Sequence, residues 1–467
     1  MAASGTIDIS EIIDGQRWRG FLPSFLAMLS LMAVFDGYDF GCMAFAAPSI
    51  IRVWHVDKAS FGLVFAAVTF GGIFGGLICG LVSDYWGRKF AAIAALLVFG
   101  AMSLATVGAK NVPELMILRF LAGIGIGALM PMLLTIAVEF APQRLRSALA
   151  MTAIVGVGLG IMVAGIVGAT LVPTFGWKII FWIAGIGPIV IAVLAFFILP
   201  ESPRFLLIRN RPASRIAAVL RRIDPRFVPP ANAVFTDRNK IVKSEAESAR
   251  VPAAMLFRGR LAPITLLLWA AFLVGYITPS IFVTWVPTLG EGLGVAPKFA
   301  ALAVSIGGIG LIAASILIMT LLRRFGFLAI SLWTLMAVPA LAILGLTQVS
   351  NIEFVVLFVI VGFAGGGSQG GTSAMVGQLY PDECRGTGVS WALMMSRIGA
   401  VLGPILAGLL LGRGVSVHNL FLFMAAPVLL FVIFAFLLGL VHRYLLRAGE
   451  ARPIPLVTRE VPDAAKI

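Results

Sequence analysis

Two aspartates, Asp36 and Asp39, stand inside a long, largely apolar run over residues 21–51. They are three apart, so on a helix they share a face. A carboxylate at the centre of a membrane helix costs ~2.5–3.5 kcal/mol on insertion scales. Such residues therefore face a protein interior or a water-filled path and carry function. Two bases are placed in the same way. Arg119 lies about two turns into an apolar run and needs an anion partner, unless it snorkels to the surface. Arg397 lies deeper, ~15 Å by helical rise, where snorkelling is hard. A guanidinium fork matches a carboxylate bidentately. The mid-membrane acids are the two aspartates, for which Arg119 competes, so Arg397 is assigned to an anionic substrate. His55, His418 and His442 fall in loops or at a span end, so none is expected as a buried proton relay. The proton carrier is then expected to be a carboxylate. Cys42, Cys79 and Cys384 have no metal-like spacing. With no nucleophile–base set either, no enzyme activity, metal site or cofactor is expected.

The elements that must position these charges are membrane spans. The 467 residues are 60% hydrophobic and 12% charged, against about 25% charged in soluble domains. Apolar runs near the length that crosses a bilayer are read at 22–50, 60–82, 90–108, 114–138, 148–172, 178–199, 261–289, 298–321, 326–347, 353–379, 387–412 and 418–441. The expected fold is an all-α integral membrane protein of twelve transmembrane helices. Its parts are an N-terminal segment (1–21), a six-helix bundle (22–200), a polar central loop (201–260), a second six-helix bundle (261–443) and a tail (444–467). Most of the 35 Lys and Arg lie on the side of the termini, which predicts that both termini are cytoplasmic. The net charge of +14 is thus distributed by loop and does not form a nucleic-acid-binding face. The basic stretch 209–260 is read as a solvated, lipid-facing segment. Residues 1–19 are polar, with Asp8, Glu11 and Asp14, and carry no cleavable signal.

The halves repeat at an offset of 239 residues. Pro142 and Arg146 correspond to Pro381 and Arg385, Pro48 to Pro287, Gly87 to Gly326, and Gly123 and Gly127 to Gly362 and Gly366. Parallel six-span repeats with substrate bound between them describe the major facilitator architecture. Gly80-Leu-Val-Ser-Asp84-Tyr-Trp-Gly87-Arg88-Lys89, between spans two and three, resembles the loop signature of that superfamily. Arg119-Phe-Leu-Ala-Gly123-Ile-Gly125-Ile-Gly127 resembles its span-four pattern. The resemblance implies a cytoplasmic gate built on Gly80, Asp84, Gly87, Arg88 and Lys89, with Glu139, Arg146 and Arg385 beside it. Asp84 is expected to latch across the interface between the halves, onto a base or a helix N-terminus.

A narrower resemblance is to the aromatic acid:proton symporters. It is carried by Asp36-Gly-Tyr-Asp39, Pro200-Glu-Ser-Pro-Arg-Phe205, Trp285-Val-Pro-Thr-Leu289 and the span-eleven segment Tyr380–Ala400 with Ser396-Arg397-Ile-Gly399. It implies a bacterial inner-membrane carrier, expected to act as a monomer, that imports a small aromatic carboxylate with protons. In the superfamily's proton-coupled sugar symporters the Arg matching Arg119 faces an Asp matching Asp39; that resemblance implies the pair as the proton site, leaving Asp36 as a second candidate or helper. For the aromatic ring, Tyr38, Tyr276 and Trp391 are candidates, with Gln369 as a hydrogen-bonding group in a glycine-rich part of span ten; Trp285 is expected nearer the outer interface. Span five lacks the Gly-x-x-x-Gly-Pro common in exporters, which favours import. A carrier of another organic acid or a sugar, or a sensor on the same scaffold, remains the alternative.

Overall fold

The computed structural model describes residues 6–16, 20–229, 233–237, 253–257, 259, 261–381 and 384–447, and among them it is almost entirely helical. Phe21–Trp54, Lys58–Trp86, Arg88–Thr106, Val112–Phe140, Arg146–Thr170 and Lys178–Ile198 form spans one to six. Leu261–Gly292, Pro297–Phe325, Phe327–Leu346, Asn351–Leu379, Arg385–Gly412 and Val417–Arg447 form spans seven to twelve. Span nine is built from two helices, Phe327–Leu335 and Ala337–Leu346. Side-chain caps start several spans by satisfying orphan amides. Asp57 accepts from Ala59 at span two, Asn111 from Glu114 at span four, and Ser350 with Glu353 forms a capping box at span ten. The repeat-related Gly87 (φ 107°) and Gly326 (φ 55°) end spans two and eight in a backbone region that L side chains rarely adopt.

Small residues bring the helices of each bundle into backbone contact. A Cβ at Gly160 in span five would stand 1.9 Å from the Val34 carbonyl of span one, and one at Gly123 in span four 2.2 Å from the Val68 carbonyl of span two. The same geometry shows how the two halves lie against each other. Gly62 and Gly80 are 18 residues apart on span two and therefore face the same way. At Gly62 the backbone of span eleven presses close, with the Pro404 carbonyl 2.7 Å from an added Cβ. At Gly80 nothing lies within 4 Å, and the same holds at Gly386 near the start of span eleven. The halves are thus sealed on the side away from the termini and parted on the termini side. Arg52 of span one joins Glu291 of span seven across the sealed side. These residues are themselves related by the repeat offset.

The central stretch is not uniformly solvated as expected. Helix Ala213–Ile223 buries Ile216, Ala217, Leu220 and Ile223, the one-sided spacing of an amphipathic helix. It packs with the pre-span helix Ile9–Asp14 in one apolar cluster. Thr6–Asp8 pairs in parallel with Val234–Thr236, and Asp237 accepts from Ser10 at 2.9 Å and pairs with Arg204 at 3.2 Å.

Replacing Gly123 by Val places carbons inside the Val68 carbonyl, whereas Gly80→Ala meets open space. In detergent thermal-melt assays Gly123→Val is expected to lose the cooperative transition. Gly80→Ala is expected to melt at or slightly above the unaltered protein, since Ala is favoured over Gly in a helix by about 0.8–1.0 kcal/mol.

Candidate functional site

Asp39 and Arg119 meet inside the first bundle. Arg119 Nη1 lies 2.9 Å from Asp39 Oδ1, with Arg119 wholly buried and Asp39 only 2% exposed. The arginine does not snorkel: it turns inward from its second helical turn. Its Nη2 donates to Ser103 Oγ of span three at 2.9 Å, and its guanidinium carbon stands 5.0 Å from the centre of the Phe181 ring of span six. The Cys42 thiol, one turn beyond Asp39, donates to Asp39 Oδ1 at 3.4 Å. Breaking such a pair leaves an uncompensated buried charge and costs about 3–5 kcal/mol.

Asp36 occupies a different environment. It is partly exposed and lies in the field of both Asp39 and Arg397. It thereby stands between the buried pair of the first half and the cation of the second. Arg397 is partly buried in span eleven, and its Nη1 comes within 3.9 Å of where a Cβ on Gly72 of span two would be. Among the described residues it makes no hydrogen bond or ion pair. Its field reaches Tyr276, whose hydroxyl approaches Ser396. Tyr276 and Gln369 line a small cleft with Ser368, Thr372, Phe272 and Phe431. Gln369 also borders a larger, mostly apolar cavity of about 100 Å³ lined by Phe282, Phe358 and Val361. Arg397, Tyr276 and Gln369 are therefore linked through Tyr276.

Two ring candidates do not reach this place. Tyr38 is 1% exposed and donates to the Ile180 carbonyl of span six at 3.3 Å, anchoring the first bundle internally. Trp391 stacks on Trp269 at 5.5 Å and is 39% exposed. Six residues from Arg397, it is rotated about a third of a turn from it, onto the outer face. Trp285 is fully buried near the sealed side, where it donates to the Pro404 carbonyl at 3.3 Å and packs edge-on against Phe65. The span-ten glycines serve packing for the most part: Gly366 abuts Leu311 and Gly367 abuts Trp333. His442 sits near the end of span twelve yet is buried against Phe327.

The residues expected at a gate form a network on the termini side, with one difference. Arg88 pairs with Glu139 at 3.1 Å and Asp84 at 3.2 Å, and Lys89 donates to the Phe196 carbonyl at 2.6 Å. Asp84 itself is largely exposed and stays within its own half, because the halves are apart here. The carboxylate that holds the start of span three is Glu201. It accepts from the Arg88 and Lys89 amides at 2.8 and 3.3 Å. Burial raises the Glu201 carboxyl above the usual value, opposed by those amides, the Ser202 amide and the Arg88 charge. Its contribution to folding is therefore fully present below the ordinary glutamate value and weakens as pH rises through the shifted one. Arg385 opens span eleven, partly buried. Arg146 opens span five, and its side chain lies outside the described residues. Sequence reasoning missed Ser103, Cys42, Glu201 and the Arg52–Glu291 contact. The repeat offset was the available signal for that contact, and the Pro-Glu-Ser-Pro-Arg segment the signal for Glu201.

A family model described as Major Facilitator Superfamily matches residues 29–338 and 268–461. The chain is 33% identical to the 4-hydroxybenzoate transporter PcaK of Pseudomonas aeruginosa, over 93% of this chain and 96% of that one. It is 33% identical to a gallate transporter of Pseudomonas putida, covering 90% and 92%, and 29% identical to a benzoate transport protein of Acinetobacter baylyi, covering 93% of each. In fold it is similar to the partially occluded, inward-open xylose transporter XylE of E. coli. That match has a TM-score of 0.66 at 18% identity and covers 94% of this chain and all of that one.

The burial of the ion pair sets a stability test. Arg119→Met alone leaves Asp39 buried without its cation. It should lower the melting temperature more than the double change Asp39→Asn with Arg119→Met, which removes both charges. A thermal-melt series of the three proteins reads the order directly.

Proposed function

This chain belongs to the Major Facilitator Superfamily, and on that premise we propose that it imports an aromatic carboxylic acid of the hydroxybenzoate or benzoate type by proton symport. It is a multi-pass membrane transporter and not an enzyme. Three relatives named for 4-hydroxybenzoate, gallate and benzoate support the substrate class. The observation that carries the reading is Arg397: a deep guanidinium with no hydrogen bond or ion pair among the described residues, whose field reaches Tyr276 in the wall of a cleft with both apolar and hydrogen-bonding groups. A carboxylate supplies the missing anion bidentately, and a flat ring fits against Tyr276 and the apolar wall, with Gln369 offering a hydrogen bond to a ring substituent.

In this reading the two halves divide the work. Asp39 with Arg119 carries the proton in the first half, Arg397 holds the substrate in the second, and Asp36 is a helper between them. The parted termini side is the cytoplasmic mouth, and the Arg52–Glu291 contact closes the opposite side. Alternating access exchanges these closures, with the Asp84–Arg88–Glu139–Glu201 network and Arg385 re-forming contacts between the halves when the cytoplasmic side shuts. Both termini are cytoplasmic, the bilayer is the inner membrane of a bacterium, and one chain suffices. A monoanion carried with one proton is electroneutral, so the pH gradient alone drives it. Using the membrane potential, ~2.3 kcal/mol per charge per 100 mV, requires a further proton.

Uptake of labelled 4-hydroxybenzoate into proteoliposomes tests the reading. Benzoate and hydroxybenzoates should compete, their carboxylate-free alcohols should not, and an uncoupler should abolish accumulation. Arg397→Lys is expected to raise KM by about 10-fold or more, in line with charge-assisted bonds of about 1.5–3 kcal/mol. Equal competition by the alcohols would contradict the assignment of Arg397.

A further inference from the structure

Arg119 carries a charge that no ordinary pH removes, and its pocket supplies three acceptors, one of them the Cys42 sulfur, 3.9 Å from Nη1. Nη1 donates to Asp39 and Nη2 to Ser103 Oγ, each at 2.9 Å. Ser103 is wholly buried in span three, and Phe181 of span six presents its ring to the guanidinium. Nε has no partner among the described residues. The titratable and charged groups that face this point are Arg119 itself from span four and Asp36, Tyr38 and Cys42 from span one. Spans three and six contribute only the uncharged Ser103 and Phe181.

The pocket has to tolerate two charge states. With Asp39 ionised the pair is neutral overall. With Asp39 protonated the same buried volume holds an uncompensated guanidinium, and only polar and aromatic contacts remain to steady it. A hydroxyl oxygen accepts from Nη2 in either state, and a ring face attracts a cation in either state. Without Ser103 the guanidinium has one fewer acceptor when Asp39 is protonated, and leans more on Asp39 when it is ionised. Both effects favour the ionised form.

We propose that Ser103 is a positioning residue of the proton site: it holds Arg119 in place while Asp39 carries a proton, and so sets the pH at which the carrier loads. This rests on the reading of Asp39 as proton carrier. The test uses the full chain in proteoliposomes, with uptake of labelled 4-hydroxybenzoate followed against external pH. Ser103→Ala should move the midpoint of proton-driven uptake about one pH unit to the acid side, a tenfold change in proton affinity. Counterflow exchange, which needs no net proton release, should continue, and Ser103→Thr, which keeps the hydroxyl, should restore the midpoint. An unmoved midpoint with uniformly slower uptake, or a threonine that fails to restore it, overturns the proposal. Should Ser103→Ala fail to insert, Ser103→Cys, which replaces the hydroxyl by a weaker acceptor, is read in the same way: an acid shift supports the proposal and an unmoved midpoint rejects it. An unaltered protein that shows no proton-driven accumulation refutes the symport reading itself, whereas an unmoved midpoint in a protein that accumulates rejects only the role of Ser103.

Discussion

A guanidinium buried among apolar helices must be neutralised where it lies, and that requirement organises the first half of this protein. Arg119 meets Asp39 at 2.9 Å with no exposed surface of its own. To satisfy it, span one brings a carboxylate and a thiol, span three a hydroxyl and span six an aromatic face. Four helices converge on one charge. They do so because glycines such as Gly125, against Ala95 and Phe99 of span three, and Gly100, against Gly185 of span six, let backbones touch. A looser bundle would admit water and weaken the electrostatic bond.

The second half is built on the opposite condition. Among the described residues Arg397 makes no hydrogen bond or ion pair, and its field reaches Tyr276, which lines a cleft that Gln369 borders. One half thus holds a buried cation paired with a carboxylate and the other a cation with no ion pair among the described residues, with Asp36 in the field of Arg397 and of Asp39. The halves touch at Gly62 and at Arg52–Glu291 and separate by Gly80.

The charged residues were legible in the sequence because a charge in an apolar run has few physical explanations. Asp39, Arg119 and Arg397 stood out for that reason, and the twelve spans followed from run length. The aromatic assignments were less legible. Tyr38 and Trp391 sit near Asp39 and Arg397 in sequence, but helical rotation turns them to span six and to the outer face. Glu201 binds amides more than a hundred residues away, a partnership no local pattern encodes. Asp84 was expected across the interface, yet its contacts here belong to a state in which the halves are parted on that side. The docking of Thr6–Asp8 on Val234–Thr236 joins segments separated by six spans, beyond the reach of composition alone.

The central claim, that the Asp39–Arg119 pair moves the proton while Arg397 holds the acid, is tested most directly by Asp39→Asn in proteoliposomes. Labelled 4-hydroxybenzoate is followed under an imposed pH gradient and, separately, in counterflow. The account predicts exchange without accumulation. Accumulation against a gradient by this variant would contradict it.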